Sequence, residues 1–553
     1  MLQYYRGIFL AITISKIFES LIKERIQANL AQINLLQAGS RTKRGAPDNT
    51  FLLRGCIDHY VANKQPLFIT TYDYEQAFDS LWVEKCILAL NNLGVPKEIL
   101  QLIYNLNKKA EVIVTTPHGL SDSFETDPIV KQGTVLGSAL CSSSTGEYCG
   151  MNKGVPIGNM MLSSLLYVDD LLDLTTTLTD RERSHENSVL FSYINNLSLS
   201  GSKCLGMAIN NDGDLPPPLQ INEEKKVIPA HEIVYLGDVF NDQGNNDSLI
   251  KDRVRRGTKA IICITALIRE TSLGIFEVSV WLLLYHSLFI PTVLFNCQAW
   301  SRLRQKDIEN LQTIQLKFLK RIFSLASSTP NSFLLLELGV LPIQAEIHKR
   351  QLVFLHKILQ LPIDDPVNQM FTNMQLFSAN GEANWWSQVH PLLQEYGLPE
   401  NLETIKQLSK DTFKSMVNKG VYHVSFSKLK SECASLKKTA NLRYNTFGMQ
   451  EYLKVLFPNQ AKVILKSRCR TLDIKTHCTY KYSDTICRGC GIEDETLEHI
   501  INCGQAEHMD IVNVSEIEAV SDVVSISLMR TVNRIHDFYD LCGEDDRQCD
   551  CTS

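Results

Sequence analysis

Apolar positions along the chain change their period several times, and each change marks an element. Ile14, Ile17, Phe18, Leu21, Ile22 and Ile26 recur at helical spacing, which predicts an amphipathic helix over residues 13–35. A second helical pattern runs from Phe51 to Val61. The period then shortens. Leu67 to Tyr72, rich in Thr and aromatics between Pro66 and Asp73, predicts a buried strand. Helices are expected over 81–93 and 99–105, a strand over 111–116, and a small-residue helix around the Cys/Ser run at 141–144. Met160 to Val168 and Leu171 to Thr177 predict two strands that meet at Asp169-Asp170, the tip of a tight hairpin. Ile233 to Phe240 predicts one more strand, with Gly237 inside it. From Ser248 to about Leu361 the pattern predicts long amphipathic helices, Asp307 to Phe323 among them, and residues 362–460 predict weaker helices broken by Pro366, Gly381 and Pro399. Val278 to Phe295 is long enough to raise a membrane span. Ser279, His286, Ser287 and Pro291 interrupt it, so a buried helix pair and no membrane are expected.

Composition narrows the class. A chain of 553 residues has room for three to four compact units, and 44% hydrophobic with 21% charged residues excludes wholesale disorder, collagen and coiled coil. The net charge of −6 gives no global attraction to a polyanion, so any nucleic acid must be held by local patches. The charge is uneven. Residues 504–553 carry eleven acids and three bases, which leaves the rest of the chain slightly positive. Residues 251–270 (Lys251, Arg253, Arg255, Arg256, Lys259, Arg269), residues 302–321 and residues 462–481 are each basic. Sixteen cysteines without a convincing signal peptide favour reduced thiols, hence an intracellular protein of the nucleus or cytoplasm.

Three features carry chemistry. Asp73 at a strand end and Asp169 and Asp170 at a hairpin tip would converge if the strands were neighbours, and clustered carboxylates are what Mg²⁺ takes; ordinary turn aspartates are the plain alternative. Arg41, Lys43 and Arg44 lie in a Gly-flanked loop suited to phosphate oxygens, or simply solvated. Cys487-x2-Cys490-x8-His499-x3-Cys503 has spacings that a tetrahedral Zn²⁺ can close, with buried unligated thiols as the alternative.

The runs DYEQAFDSLW (73–82), VKQGTVLGS (130–138) and YVDD (167–170), in that order, resemble the reverse transcriptase domain of non-LTR (LINE-type) retrotransposons. YRGIFL near the start, QAGSRTKRGAPDN at 37–49, SGSKC at 200–204 and YLGD at 235–238 extend the likeness. It continues through LFNCQAW and LLLELGVLP to the Cys/His cluster, so it covers most of residues 4–503. The resemblance implies an α+β right-hand polymerase (fingers, palm and thumb) with a helical C-terminal extension and a small zinc knuckle. Its parts would be fingers (partial) and palm at 1–246, a helical thumb at 247–361, a helical connector at 362–480, the knuckle at 481–505 and an acidic tail at 506–553.

Residue by residue, the resemblance implies that Asp73, Asp169 and Asp170 hold two catalytic Mg²⁺ and that Lys203 assists the leaving pyrophosphate. Arg41, Lys43, Arg44, Gln132 and Gly133 would meet the incoming nucleotide or template, and Phe78 would close under the sugar and reject a 2′-hydroxyl. Tyr235, Leu236, Gly237 and Asp238 would grip the primer end, and Cys487, Cys490, His499 and Cys503 would hold a structural Zn²⁺. The expected partners are an RNA template, a DNA primer and dNTPs. The chain departs from the pattern at Ser40, where Phe is common, and at Gly137-Ser138, where Ser-Pro is frequent; little fingers sequence precedes YRGIFL and no endonuclease pattern is found. The expectation is therefore an RNA-directed DNA polymerase, with an inactive, N-terminally truncated retroelement remnant that only binds nucleic acid as the alternative.

Overall fold

The computed structural model describes residues 9–108, 111–125, 129–270, 277–456, 458–472, 474–477, 479 and 481–503; the expected acidic tail and the YRGI of the first motif lie outside them. The chain divides into two compact units, one of residues 1–249, 296–303 and 354–391, the other of 250–295, 304–353 and 392–553.

The first unit is built on a six-stranded sheet. Its strands are β1 (Leu67–Tyr72), β2 (Ser164–Tyr167), β3 (Asp170–Thr175), β4 (Leu205–Ile209), β5 (Leu219–Gln220) and β6 (Lys226–Pro229), in the order β5-β6-β4-β1-β3-β2. The central strand is the one the sequence predicts from its apolar, Thr-rich run, and all six of its residues are buried. β1 runs antiparallel to both neighbours, with Tyr72 opposite Leu171 and Leu67 opposite Ile209. Helices α1 (Thr13–Arg25), α2 (Ala46–Ala62), α3 (Gly137–Thr145) and α4 (Leu178–Ile194) belong to the same unit. A helix at 178–194 is absent from the apolar pattern because its inward face is polar: Arg181, Ser184, His185 and Ser188 are all buried. Two of them serve Asp173 of β3. Its carboxylate accepts from Ser164 at 2.6 Å, Tyr148 at 2.6 Å, Ser184 at 2.7 Å and Ser188 at 3.2 Å, so a buried acid is fully hydrogen-bonded without a cation.

Several elements differ from expectation for identifiable reasons. The helix expected over 13–35 breaks after Arg25, and Ile14, Ile17 and Leu21 are exposed while Glu19 is buried. The Glu19 carboxylate takes the Val135 and Leu136 N–H groups at 2.7 and 3.1 Å, just before α3, so hydrogen bonding decides which face of α1 turns inward. The single strand expected at 233–240 is a hairpin, β7 (Glu232–Tyr235) and β8 (Asp238–Asn241), because Leu236 and Gly237 take φ of +45° and +83° and reverse the chain. Pro366 starts a helix, Pro366–Ala379, capped by Asp365, which accepts from Val367 N–H at 2.9 Å; a proline at the first helical position costs no hydrogen bond.

The second unit is helical among its described residues. The apolar segment at 278–295 is one interrupted helix, α5 (residues 278–293), with a π turn at Tyr285–Phe289, in place of the expected pair. Its Phe289 stacks on Phe318 of α6 (Gln305–Ile322) at 4.6 Å. α7 (Lys410–Ser435) is a 26-residue helix in a region expected to hold only weak ones. No helix of the described residues is long and apolar enough to cross a membrane. Glu337 is fully buried and accepts from Tyr444 at 2.5 Å, Tyr452 at 2.6 Å and Arg468 at 3.0 Å, the counterpart in this unit of the Asp173 network.

Burial, with Lys428 as a lesser influence, pushes the His348 imidazole down to about 4, and its Nδ1 meets the Tyr396 hydroxyl at 2.8 Å. A lowered folded pKa means that the folded state resists protonation, so its contribution is full above the unfolded value of about 6.5 and is lost as pH falls toward 4. We expect the second unit to lose about 3 kcal/mol between pH 6.5 and 4 through this group. Urea titrations across that range should show a flatter acid limb for His348→Gln.

Candidate active site and metal centre

The sheet brings the predicted acids to one end. Asp73 directly follows β1 and Asp170 opens β3, each one position beyond the Tyr72–Leu171 pair, so both lie at the same end of the sheet. Asp170 also pairs with Tyr167, which leaves Val168 and Asp169 as a two-residue turn between β2 and β3. Asp73 is partly exposed, and the Lys203 ammonium lies 3.2 Å from its Oδ1. The turn carrying Lys203 is tied to the same place, since Ser200 N–H donates to the Asp73 carbonyl at 2.8 Å. Three acids and Lys203, drawn from three segments between residues 73 and 203, therefore share one end of the sheet. Carboxylate oxygens open to solvent, with an ammonium beside them as provisional counter-charge, suit a hard divalent cation that keeps some of its waters.

The turn itself is under strain. Val168 has φ +61°, where a β-branched residue is costly and Gly or Asn is usual. Its surroundings hold it there. The Gln37 side chain, fully buried, accepts from Val168 N–H at 2.9 Å and donates to the Val168 carbonyl at 3.0 Å. Thr145 of α3 donates to the same carbonyl at 2.7 Å and receives a Gln37 N–H at 2.9 Å. The Gln37 segment is itself fixed along β2, with Leu166 N–H donating to Leu36 at 3.0 Å and Ala38 N–H to Leu166 at 2.9 Å. Gly39 must be glycine, because a Cβ there would sit 2.3 Å from the Val168 nitrogen. Sequence patterning did not single out Gln37 or Thr145 as site residues. Val168 was expected to end a strand, one position before the tip.

Other predicted residues fall in mixed positions. Phe78 is half-buried against the core behind Asp73, and Gln132 and Gly133 (φ +98°) form the turn before α3. Arg44 is buried and ion-paired with Asp365, and Arg41 donates to the carbonyls of Ile33 and Ala31; Lys43 is exposed. Two of the three expected phosphate-facing cations thus hold the fold together. Tyr235 and Asp238 are also buried, bonded to Asn49 at 3.1 Å and to the Trp300 indole at 3.3 Å, and the Leu236 carbonyl between them accepts from the Asn296 amide at 3.1 Å. The basic stretches are thinner than their counts suggest. Arg253 is fully buried, Arg255 and Arg256 share Asp252, Arg304 pairs with Asp307 and Arg468 with Glu337.

In the second unit, Cys487, Cys490, His499 and Cys503 bring their ligand atoms within 4.8 Å of one another. Cys487 Sγ lies 4.0 Å from Cys503 Sγ, and Cys490 Sγ 3.2 Å from His499 Nε2, close to the edges of about 3.5–3.8 Å that a tetrahedral zinc site requires. Glu493 takes the other ring nitrogen of His499 at 2.9 Å and turns Nε2 inward. Backbone N–H groups of Glu493 and Ile492 hold the Cys490 thiol down to about 6, which favours a thiolate ligand. Buried Glu495 braces the loop through Arg488 at 2.8 Å and the Lys475 N–H at 3.0 Å. The donor set is compatible with zinc.

Residues 2–240 match the family described as reverse transcriptase (RNA-dependent DNA polymerase). Among solved structures, telomerase from Candida albicans with a fragment of telomeric RNA is 11% identical over 57% of this chain and 56% of that one, at a TM-score of 0.34. Apo telomerase from Candida tropicalis is 9% identical over 72% and 61%, also at 0.34, and its complex with telomeric RNA 12% identical over 65% and 57%, at 0.31. The chain spans 56–61% of the length of these three structures. No curated protein matches it. The family match covers all three carboxylates and Lys203. Residues 2–240 are a reverse transcriptase domain.

Replacing Gln37 by Ala would leave the Val168 and Gly39 N–H groups without their acceptor, at about 2–4 kcal/mol. Val168→Gly removes the strained φ, so the double variant should recover about 1 kcal/mol or more of that loss. Urea midpoints of the four proteins measure the coupling. Strictly additive effects would mean that the amide does not hold the turn.

Proposed function

We propose that the reverse transcriptase domain at residues 2–240 works as the RNA-directed DNA polymerase of a non-LTR retrotransposon, extending a DNA primer on an RNA template. The observation that carries this reading is the placement of Asp73 and Asp170 at one end of the sheet, with Asp169 in the clamped turn and Lys203 on Asp73. Asp73, Asp169 and Asp170 would hold two Mg²⁺, which when bound lower the pKa of the attacking hydroxyl and neutralise the leaving oxygens. In the reaction the primer 3′-hydroxyl attacks the α-phosphate of a dNTP, a new phosphodiester forms and pyrophosphate leaves. Lys203 is within reach of the same acids and offers a proton or charge to the departing pyrophosphate. Phe78 would exclude a ribose 2′-hydroxyl. The turn at Leu236 and Gly237 would meet the primer end. The Cys/His cluster would be a closed structural zinc site, a knuckle with no open position.

A second reading has its own support. Arg44 and Arg41 are committed to Asp365 and to main-chain carbonyls, so the triphosphate would lack two of its expected cations, as in a remnant that binds nucleic acid without copying it.

Primer extension with RNA template, annealed DNA primer, dNTPs and Mg²⁺ separates the two. We expect extension that EDTA abolishes and that Asp169→Ala reduces by more than about 100-fold. Salt-sensitive RNA binding without extension by the wild type would select the remnant. Elemental analysis of reduced protein should give one zinc per chain. Cys503→Ser should lose it and make residues 474–503 sensitive to protease; full protection in zinc-free protein would remove the structural metal.

A further inference from the structure

In the second unit, an open groove of about 460 Å³ lies between α7 and residues 445–447. The buried stripe of α7 repeats every fourth residue through Phe413, Val417, Val421, Ser425, Leu429 and Cys433. One residue further round, Tyr422, Phe426 and Lys430 repeat with the same spacing and line the groove, so they are not part of the core stripe. Tyr422 is 40% exposed. Phe447 closes the far side, its ring 5.5 Å from Tyr422 and 6.2 Å from Phe426, with Asn445 and Thr446 beside it. Ammonium groups flank the rings: Lys349 lies 5.9 Å from the Tyr422 ring centre and Lys430 5.5 Å from that of Phe426. Glu346, whose charge bears on Tyr422, is itself ion-paired with Lys349 at 2.7 Å. The surrounding residues 404–447 carry nine Lys or Arg against two acids, Asp411 and Glu432.

We propose that this groove is a stacking site for bases of a single-stranded polynucleotide, separate from the carboxylates of the first unit. Aromatic faces offer stacking to any base, the lysines meet the phosphates, and Asn445 and Thr446 supply edge donors and acceptors. An acidic peptide would use the lysines but has no planar ring to lay on the open face of Tyr422. The choice of ligand rests on the proposed nucleic-acid function, while the site rests on its own geometry.

The test uses the full chain and a fluorescent oligouridylate of about 20 nucleotides, with a 4-thiouridine version for photo-cross-linking. Tyr422→Ala with Phe447→Ala should weaken binding about 10- to 100-fold, Tyr422→Phe should bind as the wild type does, and Lys430→Glu should weaken binding and reduce its salt dependence. Cross-links should map to residues 422–447. Extension of a saturating, pre-annealed primer–template should not change in rate. Unchanged affinity in the double-alanine and Lys430→Glu proteins, cross-links confined to other segments, or equal competition by polyglutamate would overturn the proposal. Groove binding that persists in a chain unable to extend primers would leave the site standing and remove only the polymerase reading.

Discussion

Val168 sits at φ +61° so that Asp169 and Asp170 can leave a two-residue turn beside the end of β1, and everything at the site depends on holding that turn. A valine there costs about 1–3 kcal/mol. The opposing force comes from one side chain amide. Gln37 binds both the N–H and the carbonyl of Val168, Thr145 adds a bond to the same carbonyl, and Gly39 leaves room for the approach. The loop at 37–44, the small-residue helix α3 and the hairpin are therefore one unit of construction. Asp73 arrives through the register of β1, and Lys203 through a turn bonded to the Asp73 backbone.

Both units settle their polar interiors in a similar way. Asp173 is buried behind the hairpin and satisfied by four hydroxyls, and Glu337 is buried among two tyrosines and an arginine. Each has a buried carboxyl whose donors come from other elements, so losing one partner would leave a desolvated polar group. The same logic explains the cations. Arg44, Arg253 and Arg468 contribute to the charge counts of basic stretches, yet each is spent inside the protein. Charge that remains at the surface, around Lys43 and along α7, carries more weight for polyanion binding than the counts do.

Period and spacing made the framework legible. Leu67–Tyr72 appears as the strand its composition predicts, the hairpin expected at Asp169-Asp170 turns one residue earlier at Val168-Asp169, and the Cys/His spacing gathers into one cluster. What escaped was polar inside and apolar outside. Helix α4 hides five polar residues on its inner face, Ser192 among them, α1 exposes Ile14, Ile17 and Leu21 because Glu19 is held by the turn before α3, and Leu236 joins Gly237 in reversing what read as one strand.

The sequence by itself determined which residues could do chemistry, because carboxylate, thiolate and imidazole are properties of side chains and their local spacing follows strand and turn periods. Only the tertiary structure decided that Asp73 and Asp170 share one end of the sheet, that Gln37 clamps the turn, and that Arg44 supports the fold where an exposed loop cation was expected. Those outcomes depend on strand pairs, hydrogen bonds and ion pairs between residues about a hundred or more positions apart, as with Gln37 and Val168 or Arg44 and Asp365. No local pattern encodes such a pairing; it exists once the sheet has fixed its register.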